Sequence, residues 1–348
     1  MIPENELLFI CARKNFQPEH QQAVFKLCDK FKIKWDVVYS TALEHQISPL
    51  IYYNLLKCKN SGLAITSDVI AKFKSSTMVF SLRKLKLEQD IIKILSHFNE
   101  KSVDVMLIKG AALSFTVYDD FSGYIIGDID LILRNHREEV TEQEDQEDIT
   151  FFNEFKVLVE WERFQHHDVS RSETLPIDFK KVWYHAKETT FKGQKVFVMS
   201  PEDMLLATCI NSCRKRFFRL KSLCDIAEII NHFPQLDWEV FVHHVKEYRC
   251  HHIVYTALLI TSLTIKCHLP MKILSKLNVN RLRAILIHLV IKYLSNRVPL
   301  NLLLPSTGKA IWGKNINPAL MLNFVSCNWL QFLKATSKSR LISINSLK

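Results

Sequence analysis

The chain has 348 residues, of which 48% are apolar and 24% charged. This composition excludes wholesale disorder and is typical of a globular protein of two or three domains. Only seven residues are glycine, and neither GxGxxG nor GxxxxGK followed by Ser or Thr occurs. Dinucleotide-binding and Walker-type folds therefore lose their main support.

The net charge of +10 is distributed unevenly along the chain. Residues 1–200 hold 26 basic and 29 acidic side chains, whereas residues 248–348 hold 14 basic and no acidic ones. An acid-free segment of this length creates a positive field that attracts polyanions. We therefore predict a polyanion contact by residues 248–348, with an ordinary solvated basic face as the alternative.

The cysteines and the apolar segments indicate a cellular location. Nine cysteines occur without a CxxC pair, and the first residues, MIPENELLF, contain neither a basic region nor an apolar stretch. This pattern predicts reduced thiols in a cytoplasmic protein. The longest apolar window, residues 253–265, is too short for a membrane span, which needs roughly 17 to 25 residues, so no span is predicted.

The first hundred residues are predicted to be helical throughout. A helix with Asp36 as its N-cap is expected to end at Ser48, and a second to follow as far as Gly62. A long amphipathic periodicity then predicts a third helix from Ser67 to about Glu100.

Strand signals begin only after residue 102. A short apolar run predicts a buried strand that leads into a helix starting at Lys109, and Gly193 is expected in the turn of a hairpin arm or edge strand. The acidic run over residues 138–148 is read as an exposed loop or a solvated helix face. The four predicted strands are Val103–Ile108, Tyr124–Leu133, Phe155–Phe164 and Phe191–Ser200.

Helices return after Ser200, which is a predicted N-cap followed by proline and two acidic residues. The fold class is therefore α+β, with a small mixed β-sheet flanked by helices. We divide the chain into an N-terminal helical region (1–83), a core (84–200) and a basic C-terminal helical region (201–348).

Two aspartates mark the segment with the clearest chemistry. Asp128 and Asp130 are separated by one residue on the predicted second strand, so both carboxylates are expected on one face. Two carboxylates held this close repel each other unless a divalent cation binds them. A capped turn after Gly127 is the alternative interpretation.

Lys109-Gly110 follows the first predicted strand directly and opens a helix. The free amide groups of that helix start would form an anion site, and Gly110 would let a phosphate approach closely. An anion site beside paired carboxylates is typical of metal-assisted phosphoryl transfer. Lys109 as an ordinary surface lysine is the alternative.

KGAALS followed by GDIDLIL resembles the nucleotidyltransferase (DNA polymerase beta-like) superfamily. More narrowly, the chain is similar to an uncharacterised bacterial nucleotidyltransferase family with a Leu-Lys-Gly segment and an Asp-Ile-Asp-Leu-Leu-Val strand. The resemblance covers about residues 5–235. Its flanking parts are ELLFICAR, WDVVYSTALEHQISPLIYYNL and SPEDMLLATCINSCRKRFFRLKSLCDIAEII.

The resemblance implies an enzyme that transfers a nucleoside monophosphate from an NTP to an acceptor hydroxyl and releases pyrophosphate. Asp128, Asp130 and a third carboxylate would bind two Mg²⁺ ions. Glu160 is the candidate for that third position, with Glu162 as the second choice and a solvent-facing strand edge as the alternative for both. Lys109, Gly110 and Ala111 would bind the nucleotide phosphates, and the acceptor would be a small molecule, a protein or RNA.

Departures from the family pattern favour a second reading. Ala111 replaces a Ser or Gly, Tyr124 replaces an arginine, and no histidine accompanies Glu160. The chain would then be a catalytically weakened binding module that engages nucleic acid or a partner protein through its basic C-terminal region. A kinase-like phosphoryl transfer to a small molecule is a third possibility.

Several cysteines and histidines in the C-terminal region could suggest zinc. They lack a metal-ligand spacing, and we interpret them as core and surface positions. They are Cys209, Cys213, Cys224, His243, His244, His251 and His252.

Overall fold

A computed structural model of the chain describes residues 1–135, 158–161 and 178–304, together with 322, 325 and 326. A small mixed sheet follows five N-terminal helices and is itself followed by a second group of helices, so the predicted α+β class is confirmed. The first five helices are α1 (Pro3–Cys11), α2 (Pro18–Lys30), α3 (Trp35–Glu44), α4 (Ser48–Asn60) and α5 (Ser67–Glu100).

Within the described residues, the sheet contains five strands in the order β3-β2-β1-β5-β4. Strand β1 pairs antiparallel with β2 and parallel with β5, β2 pairs parallel with β3, and β4 pairs antiparallel with β5. Helix α6 (Lys109–Thr116) follows β1 directly. The strands are β1 (Val103–Ile108), β2 (Asp130–Asn135), β3 (Leu158–Trp161), β4 (Lys187–Phe191) and β5 (Gln194–Val198).

The remaining helices of the described residues lie before β4 and after β5, and a 3₁₀ helix lies at Leu300–Leu302. The helices are α7 (Phe179–His185), α8 (Pro201–Arg214), α9 (Leu220–His232), α10 (Trp238–Glu247), α11 (His251–Thr264), α12 (Ile273–Lys276) and α13 (Arg281–Arg297). Among the described helices, none has both the length and the apolar character needed to cross a membrane.

The second strand begins later than the sequence predicts. A strand was expected over Tyr124–Leu133, but residues 124–129 form none, and β2 begins at Asp130. Strand β1 ends at Ile108, which pairs with Asp130, and the chain then turns into α6. Residues before Asp130 therefore have no β1 residue to pair with, and the sheet ends there.

Strands β3 and β5 lie within the two other predicted strand segments. Strand β3 lies inside the predicted Phe155–Phe164, whose other residues, like the acidic run at 138–148, lie outside the described residues. The predicted hairpin arm after Phe191 is β5, with Gly193 (φ +86°) in the turn. The hairpin-arm alternative is therefore the one present, since β5 lies between β1 and β4 and is not an edge strand.

Two helix starts illustrate how local capping decides a boundary. Ser200 accepts a hydrogen bond from the amide of Asp203 and caps α8, as predicted. Asp36, by contrast, is not an N-cap: α3 begins one residue earlier, at Trp35. The Asp36 carboxylate instead pairs with Lys72 on α5, 2.7 Å away.

Apolar side chains cover both faces of the sheet. On one face Val105 and Leu107 of β1 pack with Ile91 and Leu95 of α5. On the other face Met106 of β1 belongs to a larger core, which the N-terminal and C-terminal helices share. This sharing means that helices from both ends of the chain support the sheet.

The division into regions 1–83, 84–200 and 201–348 stays a prediction. Helix α5 runs without a break from Ser67 to Glu100 and contacts both α4 and β1. The larger core contains Leu7, Tyr118 and Leu223, one from each predicted region. The eight described cysteines are free thiols.

His45 is a buried polar connection between distant parts of the chain. Its Nδ1 accepts a hydrogen bond from the amide of Leu220 (3.1 Å), and its Nε2 lies 3.2 Å from the carbonyl oxygen of Leu300. An Nδ1 that accepts from an amide must be unprotonated. Burial, with added repulsion from Arg219, lowers the pKa of His45 to about 4.

This arrangement predicts acid destabilisation. Unfolded His45 binds its proton near pH 6.5 and folded His45 only near pH 4, so the unfolded state binds more protons between these values. We expect the free energy of unfolding to fall by about 3 kcal/mol from this group between pH 7 and pH 4. Urea unfolding at a series of pH values measures this fall in the free energy of unfolding.

The contribution of His45 is isolated by comparison with His45→Gln. This variant should be less stable than wild type at pH 7, and its disadvantage should shrink as the pH falls towards 4. The exposed His232, changed to Gln, is the control and should follow the wild-type curve. Parallel curves for wild type and His45→Gln would contradict the prediction.

Candidate functional site

The junction between β1 and α6 brings the predicted phosphate-binding residues together. Ile108 is extended (φ −130°), Lys109 adopts a left-handed conformation (φ +52°), and the helix starts at once. For a residue other than glycine this conformation costs roughly 1–2 kcal/mol. The left-handed conformation of Lys109 turns the chain sharply, so α6 begins directly at the end of β1.

Lys109 and Asp130 form an ion pair at this junction. The ammonium of Lys109 lies 2.7 Å from Oδ1 of Asp130, whose side chain is 6% exposed. The register explains the contact, because Ile108, the residue before Lys109, pairs directly with Asp130. A buried carboxylate requires a cationic or hydrogen-bonding partner, and Lys109 supplies the cation.

Asp128 lies close to Asp130 in the chain but in a different environment. It is exposed on a bend before β2, whereas Asp130 is buried as the first residue of the strand. The prediction that both aspartates lie on one strand is therefore wrong. Burial lowers the pKa of Arg219, while the negative charges of Asp225 and Asp128 oppose that shift. Arg219 and Asp128 therefore interact electrostatically.

The third predicted carboxylate lies on the neighbouring strand. Strand β3 runs parallel to β2, with Leu158 opposite Asp130 and Glu160 opposite Ile132. The backbone thus places Glu160 two residues along from the position paired with Asp130. The side chain of Glu160 and all of Glu162 lie outside what the structure describes, so both assignments stay predictions.

Gly110 and Ala111 form the first turn of α6. A Cβ atom at Gly110 would lie 3.7 Å from the hydroxyl oxygen of Tyr124, an ordinary contact distance. The side chain of Ala111 is fully buried in the core between the sheet and α5. Ala111 can therefore meet a nucleotide only through its backbone, and Ile108 provides no side-chain cap for this helix start.

A polar cluster that the sequence reading missed lies beside this helix start. The ammonium of Lys221 on α9 donates to the hydroxyl of Tyr124 (2.6 Å) and lies 3.0 Å from Asp225. Tyr118 donates to the other oxygen of Asp225 at 3.0 Å, and its ring stacks on Tyr124 at 4.0 Å. The Tyr124 hydroxyl therefore lies between the Lys221 ammonium and the turn at Gly110.

The two tyrosines of the cluster keep their phenol protons. Burial, reinforced by the charge of Asp225, raises the pKa of Tyr118 and of Tyr124. The i,i+4 spacing of Lys221 and Asp225 was the available sequence signal for an ion pair on one helix face. The contact of Lys221 with Tyr124, which lies 97 positions earlier, had no such local signal.

Charges of both signs thus surround the start of α6. Lys109 is the first residue of α6, Lys221 of α9 reaches the Tyr124 hydroxyl beside it, and Arg219 interacts with Asp128. Asp128, just before β2, and Asp130, its first residue, carry carboxylate oxygens. Cations beside a helix start suit a polyphosphate, and carboxylates suit a hard divalent cation.

Comparison with known proteins identifies the family of the chain. Residues 32–265 match the family model described as uncharacterised nucleotidyltransferase. No curated protein matches the chain. A solved structure of an antigenic nucleotidyltransferase-like protein from Paracoccidioides brasiliensis has 14% sequence identity and a TM-score of 0.31, covering 56% of this chain and 94% of the other. The family match spans more than half of the sequence and includes the β1–α6 junction, so the chain belongs to the uncharacterised nucleotidyltransferase family.

Proposed function

We propose that the chain transfers a nucleoside monophosphate from an NTP to an acceptor hydroxyl, with pyrophosphate as the leaving group. The observation that carries this proposal is the buried Asp130 carboxylate, held by Lys109 beside the glycine-containing start of α6. Family membership supports the class of reaction.

The residues present fit a Mg²⁺ site. Asp128, Asp130 and Glu160 would supply carboxylate oxygens, the ligands that Mg²⁺ prefers. The Lys109 ammonium, itself a cation, lies at Oδ1 of Asp130, where a metal ion would bind. Two bound Mg²⁺ ions would neutralise the triphosphate and make its α-phosphorus more electrophilic.

The protein's own groups would hold the triphosphate in place. The amides of the first turn of α6 would receive phosphate oxygens, with Gly110 leaving room for their approach. Lys109 would move its ammonium from Asp130 to the phosphates, and Lys221 would add a second positive charge from α9. Glu160 would help to deprotonate the acceptor hydroxyl.

Asp130→Asn tests the carboxylate. The amide keeps the shape of the side chain but loses the charge that binds a metal, so we expect nucleotidyl transfer to fall by at least about 100-fold. The measurement is transfer of label from an α-labelled NTP with Mg²⁺ to a mixed pool of small molecules, protein and RNA. Circular dichroism checks that the variant is folded.

The matched control is Asp120→Asn, an exposed aspartate in the turn after α6. It should keep wild-type transfer. Equal transfer by Asp130→Asn and wild type would contradict the assignment. Labelled product from a γ-labelled NTP, with none from the α-labelled one, would point to a kinase-like reaction instead.

Gly110→Ala tests the phosphate site separately from folding. The new methyl group would meet only the Tyr124 hydroxyl, at an ordinary 3.7 Å, so the melting temperature should not fall. The same methyl would crowd a phosphate at the helix start, and we expect the KM for NTP to rise about tenfold.

Gly127→Ala is the matched control, because a Cβ there has no atom within 4 Å. It should change neither the melting temperature nor the KM. An unchanged KM in folded Gly110→Ala would show that phosphates bind elsewhere.

A further inference from the structure

Three side chains outside the candidate nucleotide site converge on one point. His185 ends α7, Asp203 lies in the first turn of α8, and His244 lies on α10. One ligand atom from each of the three residues lies within 4.8 Å of the other two. None of these helices contributes to the site formed by β1, α6, β2 and α9, so the cluster is independent of the proposed function.

His244 carries a buried nitrogen without a hydrogen bond. Its side chain is 8% exposed, and Nδ1 lies 3.0 Å from Oδ1 of Asp203. The two atoms are not aligned as a hydrogen bond, and Nδ1 has no other hydrogen-bond partner. Burying a polar atom without a partner is costly. A nitrogen and an oxygen that face one point without bonding to each other are arranged as ligands of a shared cation.

The second imidazole of the cluster faces the same carboxylate. Nδ1 of His185 lies 3.3 Å from Oδ2 of Asp203, within hydrogen-bonding distance, and the Ser200 hydroxyl donates to that oxygen. The two rings are stacked, with centroids 5.0 Å apart and planes 17° from parallel. Two ring nitrogens and one carboxylate therefore converge from three helices, and together they are a donor set that metal ions use.

The distances also suit a metal ion. Zinc binds imidazole nitrogen and carboxylate oxygen at about 2.0–2.2 Å, so neighbouring ligand atoms lie roughly 3.0–3.5 Å apart. The nitrogen–oxygen separations of 3.0 and 3.3 Å, one to each oxygen of Asp203, are close to that spacing. Two imidazoles and one carboxylate favour Zn²⁺ over Mg²⁺, which prefers oxygen ligands alone.

The cluster opens into a cleft of about 580 Å³ between α7 and α10. Two acidic residues, Asp178 and Glu247, are in its lining, and Glu247 pairs with Lys181 across the cleft. His185 reaches the cleft with a side chain that is 34% exposed, whereas Asp203 is 3% exposed. A metal ion here would therefore have three protein ligands and a free position for water.

We propose that His185, Asp203 and His244 form a Zn²⁺ site that joins α7, α8 and α10. The open position distinguishes it from closed structural sites, which have four protein ligands. Zinc would stabilise the contact of α7 with the C-terminal helices and would bind a water molecule facing the cleft.

The test is titration of the metal-free, full-length chain with ZnCl₂ in excess Mg²⁺, followed by calorimetry. We expect one Zn²⁺ per chain with a Kd below about 10 μM and a higher melting temperature with zinc. His185→Ala, at a half-exposed position that tolerates truncation, and His244→Asn should each weaken binding at least about tenfold. His232→Ala, an exposed histidine on α9, is the matched control and should bind like wild type.

Cobalt distinguishes this site from the cysteines. Co²⁺ bound to imidazole and carboxylate absorbs in the visible range without a thiolate charge-transfer band, and that spectrum is expected. A thiolate band would place the ion on cysteines and overturn the proposal. So would the failure of wild type to bind Zn²⁺, or binding by folded His185→Ala and His244→Asn within twofold of wild type.

Discussion

The ion pair between Lys109 and Asp130 is the constraint on which the candidate site depends. It joins the strained turn after β1 to the first residue of β2, and it neutralises a carboxylate that is 6% exposed. Loss of Lys109 would take this cation away from a buried carboxylate, which is unfavourable. The pair therefore joins the end of β1 to the start of β2. A metal ion that replaced the ammonium would restore a neutralising positive charge at the same carboxylate.

Local signals in the sequence predicted much of the fold. The cap at Ser200, the apolar run of β1 and the periodicity of α5 each depend on neighbouring residues, and each is present in the structure. The start of β2 was predicted wrongly because a strand ends where its partner ends, and Ile108 is far from Asp130 in the chain. Asp36 was misread as a cap because its long-range partner, Lys72, was not visible in the sequence.

The same reasoning explains which site residues the sequence could reveal. Lys109, Gly110, Asp128 and Asp130 lie within 22 positions of one another and form a recognisable motif. Lys221 is brought to Tyr124 by the packing of α9. The cluster of His185, Asp203 and His244 is assembled from three helices and has no sequence spacing of its own. The two proposed sites also differ in ligand chemistry. One would offer oxygen atoms, which Mg²⁺ prefers, and the other nitrogen and oxygen atoms, which Zn²⁺ accepts.

We infer that a metal ion replaces the Lys109 ammonium at the Asp130 carboxylate when nucleotide binds. The most direct measurement is calorimetric titration of the wild-type chain with a non-hydrolysable NTP analogue, once with Mg²⁺ and once with EDTA. We expect binding at least about tenfold tighter with Mg²⁺, because the metal would join the triphosphate to the aspartates. Equal affinity under the two conditions, or no binding with Mg²⁺, would contradict it.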